Sequence, residues 1–155
     1  MNENHFWIGV VSREHVQNGV ELGIAQLNHG KREALARMHQ GDWLMYYSPR
    51  TSYPSGSSLQ AFTAIGQIQS ALPYEATVSD DFHPYRHTVE YHPCREVPLQ
   101  EVLAALTFLP DKQHWGARFR FGCLAIPQRD FLYIAQAMEV PIADVAERAH
   151  VHFSF

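Results

Sequence analysis

The chain has 155 residues, of which 46% are hydrophobic and 18% charged, a composition typical of one globular domain with a hydrophobic core. Its formal net charge of −4 argues against tight, nonspecific binding to a phosphate backbone, which needs many cations. No apolar run approaches the roughly 20 residues of a membrane helix, the chain starts with polar residues, and its two cysteines form no disulfide framework. We therefore expect a cytoplasmic protein without a signal peptide or a membrane partner.

In chain order, the first predicted elements are a strand and two helices. Residues 6–11 (FWIGVV) form an apolar run that predicts a buried strand. Ser12 is expected to cap a helix over about 13–21, which Gly23 ends. Residues 31–38 then predict a short helix.

The middle of the chain predicts further strands. Residues 43–47 (WLMYY) predict a strand with aromatic side chains on both faces, followed by a polar loop over 48–58. The strand predicted over 60–69 contains Gly66, which indicates a bulge or a bend of the kind that barrels require. Another strand is expected around 87–94.

The last third predicts a short helix over 98–106, a strand over 116–125 (GARFRFGCLA) and an amphipathic helix over 128–138. A weakly helical tail follows. Short helices among strands of mixed length predict the α+β class, and the bends predict a small, curved, partly closed barrel.

Acidic residues are absent from two stretches of the chain and rare in a third. Residues 113–129 contain three arginines and no acid, residues 43–74 contain no acid, and residues 29–41 contain three cations with one acid. If these stretches share a face, that face is mildly basic. Such a face suits recognition of a short segment or of one nucleotide better than recognition of a duplex.

Aromatic and arginine side chains are concentrated in the acid-free stretches, where they would suit a pocket for a nucleic-acid base. A base offers a π face and a polar edge, so its pocket needs aromatic walls with a few donors and acceptors. On a strand, Phe119 and Phe121 would share one side and the two arginines the other. The alternative is that the aromatics are core residues and the arginines a solvated face. The candidates are Tyr46, Tyr47, Trp115, Arg118, Phe119 and Arg120.

Three turns add candidate polar contacts. Ser12 and His15, at the start of the first helix, could present a hydroxyl and backbone N–H groups to a ligand, or Ser12 could be a plain cap. In 29–31 (His-Gly-Lys), the glycine allows close backbone approach and the lysine suits a phosphate or a base oxygen, although an exposed turn explains the motif equally well. Ser48 and Pro49 could form a pocket rim or only turn the chain. The candidates of the second turn are His29, Gly30 and Lys31.

A metal site and a catalytic centre are not expected. The spacing of His83, His87, His92 and Cys94 matches no standard zinc pattern, and strand alternation with surface histidines explains them better. The chain has no GxSxG, HExxH or P-loop motif, and nothing visibly activates either cysteine. We expect no cofactor, no metal and no catalytic residue.

Several segments, in order, resemble the EVE domain family, in particular its bacterial uncharacterised-family branch, which belongs to the PUA-like superfamily with the YTH and ASCH domains. The resemblance implies one domain over 1–155, with 141–155 as a tail of uncertain packing. It also implies a PUA-like mixed β pseudo-barrel flanked by short helices, with a concave pocket for a base. The segments are FWIGVVSREHV (6–16), AQLNHGK (25–31), GDWLMYYSPRT (41–51), QAFTAIGQI (60–68) and WGARFRFG (115–122), followed by Asp130-Phe131 and Ala137-Met138.

The resemblance implies a noncatalytic nucleic-acid-binding module. We expect it to recognise a base of DNA or RNA, and a modified one, in an aromatic-lined pocket. One alternative is an enzyme like the ASCH domains, which look built to hydrolyse small modified nucleosides with a lysine and a carboxylate. Only Lys31 and Lys112 could serve as that lysine, and few acids lie near Lys31 in the sequence. A module that binds a small molecule or a protein is the other alternative.

Overall fold

The computed structural model describes residues 4–141, which form an α+β fold around one curled, half-barrel sheet. The strands are β1 (Phe6–Val10), β2 (Ile24–Ala25), β3 (Trp43–Arg50), β4 (Ser58–Ile68), β5 (Tyr74–Glu75), β6 (Tyr85–Tyr91), β7 (Val97–Pro98) and β8 (Cys123–Ile126). They lie in the order β2-β6-β4-β3-β1-β8, with β5 paired to β6 and β7 paired to β4. The pair β1–β3 is parallel and all other pairs are antiparallel.

The helices are short and cover both faces of the sheet. They are α1 (Arg13–Leu22), α2 (Glu33–Ala36), α3 (Leu99–Val102) and α4 (Gln128–Ala137), and 3-10 turns occur at Asn28–Gly30, Leu103–Ala105 and Trp115–Phe121. Within the described part of the chain, no helix has the length and apolar character needed to cross a membrane. The predicted C-terminal tail lies outside the described residues.

Strand alternation divides the core into two clusters, one on each face of the sheet. In β3, Met45 and Tyr47 pack in the cluster that includes α3 and α4, whereas Leu44 and Tyr46 pack in the cluster that includes α1 and α2. Successive side chains of a strand point to opposite faces, so two adjacent tyrosines cannot line the same pocket. Tyr46 therefore lies on the face that packs against α1, and Tyr47 lies on the opposite face.

The end of α1 forms as predicted, but its start differs in one respect. Gly23 adopts a left-handed conformation (φ 69°) and closes the helix, as its lack of a Cβ permits. Ser12 occupies the N-cap position without a hydrogen bond from its side chain. The carbonyl of Thr51 accepts from the Glu14 N–H instead, at 2.9 Å. The predicted N-cap position of Ser12 is therefore confirmed, although its hydroxyl makes no capping hydrogen bond.

The loop predicted over 48–58 begins later than expected, because β3 continues through Ser48 and Pro49 to Arg50. Ser48 is fully buried and its hydroxyl lies 2.8 Å from that of Thr63 on β4, which removes the energetic cost of burying both groups. The register of this hairpin shifts opposite Tyr46/Tyr47 and opposite Ser48/Arg50, where β4 carries the extra residues, rather than at Gly66. A Cβ at Gly66 would lie 2.6 Å from Val89 Cγ1, so this glycine allows β6 to approach closely.

The segment WGARFRFG was predicted as part of a strand, and this prediction is wrong. Trp115–Phe121 is a 3-10 helix, and only 123–126 is extended. The consequence is that Phe119 is buried and stacks on Tyr47, with ring centroids 4.1 Å apart, whereas Phe121 is 75% exposed. On a strand, alternation would have placed both rings on the same side. In the 3-10 helix, Phe119 packs in the core with Tyr47, whereas Phe121 lies outside that core.

The histidines of the third quarter of the chain were predicted to lie on the surface, and for His87 this prediction is wrong. His87 is fully buried on β6. Its Nε2 donates to the Leu35 carbonyl at 2.9 Å, and its Nδ1 accepts from the Ser70 hydroxyl at 2.6 Å. Both ring nitrogens are therefore satisfied in the neutral form, which makes burial of this side chain favourable.

Candidate binding recess

A concave recess of about 420 Å³ opens beside α1, on the face of the sheet that packs against this helix. Four parts of the chain contribute its walls: one side of α1, the segment around β2, the loop before β6, and β6 itself. Tyr46 of β3 lies at its floor. The residues lining it are His15, Asn18, Gly19, Glu21, Leu22, Ile24, Gln26, Tyr46, Val78, Phe82 and Arg86.

The helical wall follows from the periodicity of α1. His15, Asn18 and Leu22 are three and four residues apart, so they form one stripe along the helix, while Val16 points into the core. Gly19 lies in the same stripe, where a Cβ would come within 2.9 Å of the Ile24 carbonyl oxygen. This glycine therefore lets α1 pack closely against the chain that enters β2.

The aromatic floor is buried and neutral. Tyr46 is 2% exposed, and its ring is stacked with that of Tyr91 at a centroid distance of 6.4 Å. Burial raises the pKa of Tyr46 to about 12 and also raises the pKa of Tyr91, so both phenols stay protonated at neutral pH. The Tyr91 hydroxyl donates to the Ile24 carbonyl at 2.8 Å and fixes the strand β2 against the floor.

A positioned amide forms the polar side of the recess. Arg86 Nε donates to Gln26 Oε1 at 3.0 Å, and both side chains are half-buried. Because the carbonyl oxygen of Gln26 accepts this bond, the amide is held by Arg86 and its nitrogen keeps its N–H donors. The guanidinium brings further donors and a positive charge to the same wall.

The outer wall is the loop between β5 and β6, which carries Phe82 and Val78. Phe82 is 38% exposed and Val78 54% exposed. The Val78 N–H donates to the Phe82 carbonyl at 3.0 Å, so the loop closes on itself as a compact turn. The ring of Phe82 is thus an accessible aromatic surface on a defined backbone.

The His-Gly-Lys turn supports this loop from behind. Gly30 has φ 83°, and a Cβ there would lie 2.9 Å from Pro84 Cα and 3.3 Å from Phe82 Cε1. The close backbone approach predicted for this glycine therefore occurs, but its partner within the chain is the loop that carries Phe82. The neighbouring His29 and Lys31 are exposed.

The structure separates the residues that sequence reasoning grouped together. His15 and Tyr46 line the recess, and Gly30 supports it. Trp115 contacts Tyr47 edge-on, with ring centroids 6.4 Å apart, so these two aromatic candidates are neighbours, and neither of them lines the recess. The remaining candidates lie outside the recess: Ser12, Tyr47, Ser48, Pro49, Phe119 and the exposed Arg118 and Arg120.

Sequence reasoning missed Gln26, Arg86 and Phe82. Gln26 lies in the segment AQLNHGK, where a polar residue in an otherwise apolar extended stretch was a usable signal. Arg86 is bound to Gln26 across 60 positions, and no sequence spacing indicates that pair. Phe82 is an isolated aromatic in the polar stretch SDDFHP, which is unusual for a solvated loop.

A second, larger depression of about 510 Å³ lies on the outer side of α4. One helix provides nearly all of its lining, including Gln128, Arg129, Tyr133 and Gln136, with Ala105 opposite. A site that fixes the orientation of a ligand needs polar groups converging from several directions. The recess beside α1 meets this requirement better.

The two cysteines and Lys112 do not line the recess. Burial raises the pKa of the Cys94 thiol and raises that of Cys123 to about 11, so both remain protonated at neutral pH. Lys112 Nζ donates to the carbonyls of Leu103 and Leu106, at 2.9 and 2.6 Å. Among the residues that line the recess, Glu21 is the carboxylate, and it has no lysine beside it in that lining.

Comparison with known proteins places the chain in a family. The EVE domain matches residues 5–137. The UPF0310 protein YdcG of Bacillus subtilis is 47% identical over 146 residues, covering 94% of this chain and 99% of that protein. A UPF0310 protein of Mycolicibacterium vanbaalenii is 46% identical over 140 residues, covering 90% of this chain and 97% of that protein.

Among solved structures, the fold is similar to that of the YTH domain of the Zygosaccharomyces rouxii MRB1 protein in complex with N6-methyladenosine RNA. The TM-score is 0.57 with 16% sequence identity, over 89% of this chain and 88% of that one. This likeness shows that the two chains share a fold.

Proposed function

The chain belongs to the EVE domain family, and from this premise we propose that it is a noncatalytic module that binds one modified base of DNA or RNA in the recess beside α1. The observation that carries the proposal is the combination of an accessible ring, Phe82, with the Gln26 amide, which Arg86 holds, in one concave site. A base has a π face and a polar edge, and these two groups complement them.

The size of the recess suits one base. Sites for small ligands have volumes of roughly 300–1,000 Å³, and this one has about 420 Å³. A base can enter only when it is unpaired or turned out of a duplex, because its face and edge are otherwise covered by neighbours. The RNA complex of the YTH domain with the same fold supports nucleic acid as the ligand class.

The polar groups favour an edge that carries acceptors. The Gln26 amide nitrogen and the Arg86 guanidinium are donors, while Asn18 and His15 on α1 can each donate or accept. A modification of the base would lie against the apolar part of the lining, which includes Leu22 and Val78. An added methyl or similar group therefore gains contact area without leaving a polar group unpaired.

The strand that carries the base would leave the recess past the His-Gly-Lys turn. Gly30 touches the Phe82 loop, and Gly122 lies against Asn28 at the other side of the same turn. Lys31, Arg118 and Arg120, all exposed, are our candidates for phosphate contacts along this path.

Titration calorimetry with paired oligonucleotides tests the proposal. Each pair of single strands, DNA and RNA, differs by one modified base, and the free nucleosides are included. We expect at least one modified strand to bind more tightly than its unmodified partner, with every ligand recovered unchanged by chromatography.

Gln26→Leu should weaken that binding about three- to tenfold, the worth of one hydrogen bond. Gln136→Leu, at the α4 depression, should not change it. Equal affinity for all strands, or no effect of Gln26→Leu, would refute the base-reading recess. Conversion of a nucleoside would establish the enzymatic alternative instead.

A further inference from the structure

Two histidines and one carboxylate meet at the start of β1, on residues that the recess does not use. His5 precedes β1, and His39 and Asp42 belong to the turn between α2 and β3. One ligand atom from each residue lies within 4.8 Å of the other two. The sequence separates His5 from the other two by more than 30 positions, so only the fold brings the three together.

The carboxylate is the fixed part of this cluster. Asp42 is 1% exposed, and its Oδ2 accepts from Trp7 Nε1 at 2.9 Å. It also accepts from the backbone N–H groups of His5 (through Oδ1) and His39 (through Oδ2), each at 2.9 Å. The backbones of both histidines are therefore bound to the same carboxylate that their side chains flank.

The two imidazoles stand close to this carboxylate without bonding to it. His5 Nδ1 is 3.9 Å from Asp42 Oδ1, and His39 Nδ1 is 3.8 Å from Asp42 Oδ2. These distances exceed a hydrogen bond, and the ring centroids are 6.3 Å apart. Bonds of about 2.1 Å to a shared tetrahedral ion would place such atoms about 3.4 Å apart. Since the three ligand atoms lie within 4.8 Å of one another, a movement of up to about 1.4 Å by the exposed rings would bring them to that spacing.

We propose that His5 Nδ1, His39 Nδ1 and a carboxylate oxygen of Asp42 bind a divalent transition-metal ion of the zinc type, with water completing its coordination. Neutral imidazole nitrogens with one carboxylate select zinc-like ions over calcium or magnesium, which prefer oxygen ligands. The N–H groups that bind Asp42 orient the carboxylate, as the outer partners of metal ligands do. Side-chain exposures of 58% for His5 and 70% for His39 leave the ion a path from solvent.

The ion would act as a clamp between two parts of the chain. Trp43 N–H donates to the His5 carbonyl at 3.0 Å, where β1 and β3 begin to pair. A metal that holds both sides of this junction binds the folded state and not the unfolded one, so it raises stability by mass action.

Zinc titration of the untagged chain, previously treated with a chelator, tests this site. We expect one equivalent of Zn²⁺ to bind and to raise the thermal unfolding midpoint. His5→Ala and His39→Ala should each weaken binding at least about tenfold. Both variants keep the backbone N–H groups that hold Asp42, so the local fold is preserved. Cobalt substitution should give a visible absorption spectrum that the double variant lacks.

His83→Ala is the matched control, since this exposed histidine lies on the loop before β6. It should bind zinc as the parent chain does. Absence of binding in the parent chain would overturn the proposal, and so would equal affinity in the His5→Ala/His39→Ala double variant.

Discussion

Phe82 provides the open aromatic surface of the recess, so its side chain is where stacking of a base should be measurable. Phe82→Ala should cost about 1–3 kcal/mol of binding free energy, the usual worth of one base–aromatic contact. The ring is 38% exposed, and its removal should leave the fold intact. Calorimetry with the tightest-binding modified strand measures the difference.

Tyr133→Ala is the control for this substitution. Tyr133 is 43% exposed, a similar fraction, and lines the depression on α4. Its loss should leave affinity unchanged. An effect at Tyr133 with none at Phe82 would move the binding site to α4.

His87 makes stability depend on pH. Burial lowers the pKa of His87 below its ordinary value of 6.5. The unfolded chain therefore binds a proton on His87 near pH 6.5, whereas the folded chain binds it only at lower pH. The free energy of unfolding consequently decreases as the pH drops below 6.5. Above pH 6.5 both states are neutral and the contribution is complete.

Urea unfolding of the parent chain and of His87→Gln, each at pH 7.5 and pH 5.5, measures this effect. We expect the parent chain to lose more stability between the two pH values than the variant does. The difference between the two losses isolates His87 from the other histidines. Equal losses would show that folding does not lower the pKa of His87.

At the scale of elements, the contact between β4 and β6 depends on a missing side chain. A Cβ at Gly66 would lie 2.6 Å from Val89 Cγ1 and 2.7 Å from the Glu90 carbonyl oxygen. Gly66→Ala should therefore destabilise the fold by about 1–3 kcal/mol through overpacking, as urea unfolding would show. Gly116→Ala is the control, because a Cβ there meets no atom within 4 Å. It should be neutral or slightly stabilising, and equal effects at both positions would contradict the close strand contact.

Elements with a clear periodicity could be predicted from the sequence, and elements defined by distant partners could not. The run FWIGVV and the stripe of α4 form as expected, because burial on a sheet or along a helix face imposes that spacing. WGARFRFG alternates like a strand, yet Phe119 packs on Tyr47 from a 3-10 helix. The pairing of Ser48 with Thr63 likewise keeps a Pro-containing segment in β3.

The residues of the candidate site also fall into those that local sequence features indicate and those that only the fold brings together. His15 and Gly30 could be named from the sequence because a helix start and a glycine turn are local features. Phe82 and Gln26 could not, since the recess exists only where α1, β2 and the loop before β6 converge. The aromatic cluster around Tyr47 looked like a pocket wall because base-binding and core packing use the same residue types.

At the scale of the whole molecule, the charge limits how binding can work. With a formal net charge of −4, we expect no better than about micromolar affinity for unmodified single strands at physiological salt, with a shallow salt dependence. Lys31→Ala should reduce that slope further, by up to about one unit. Binding measured by fluorescence anisotropy at several salt concentrations checks both expectations. Nanomolar binding to plain duplex DNA with a steep slope would contradict them.

The most direct test is a crystal structure of the chain with a single strand that contains its tightest-binding modified base. The account predicts that the base stacks on Phe82 inside the recess, with its polar edge within about 2.7–3.2 Å of the Gln26 amide nitrogen. A base bound against Trp115, or in the depression on α4, would contradict it.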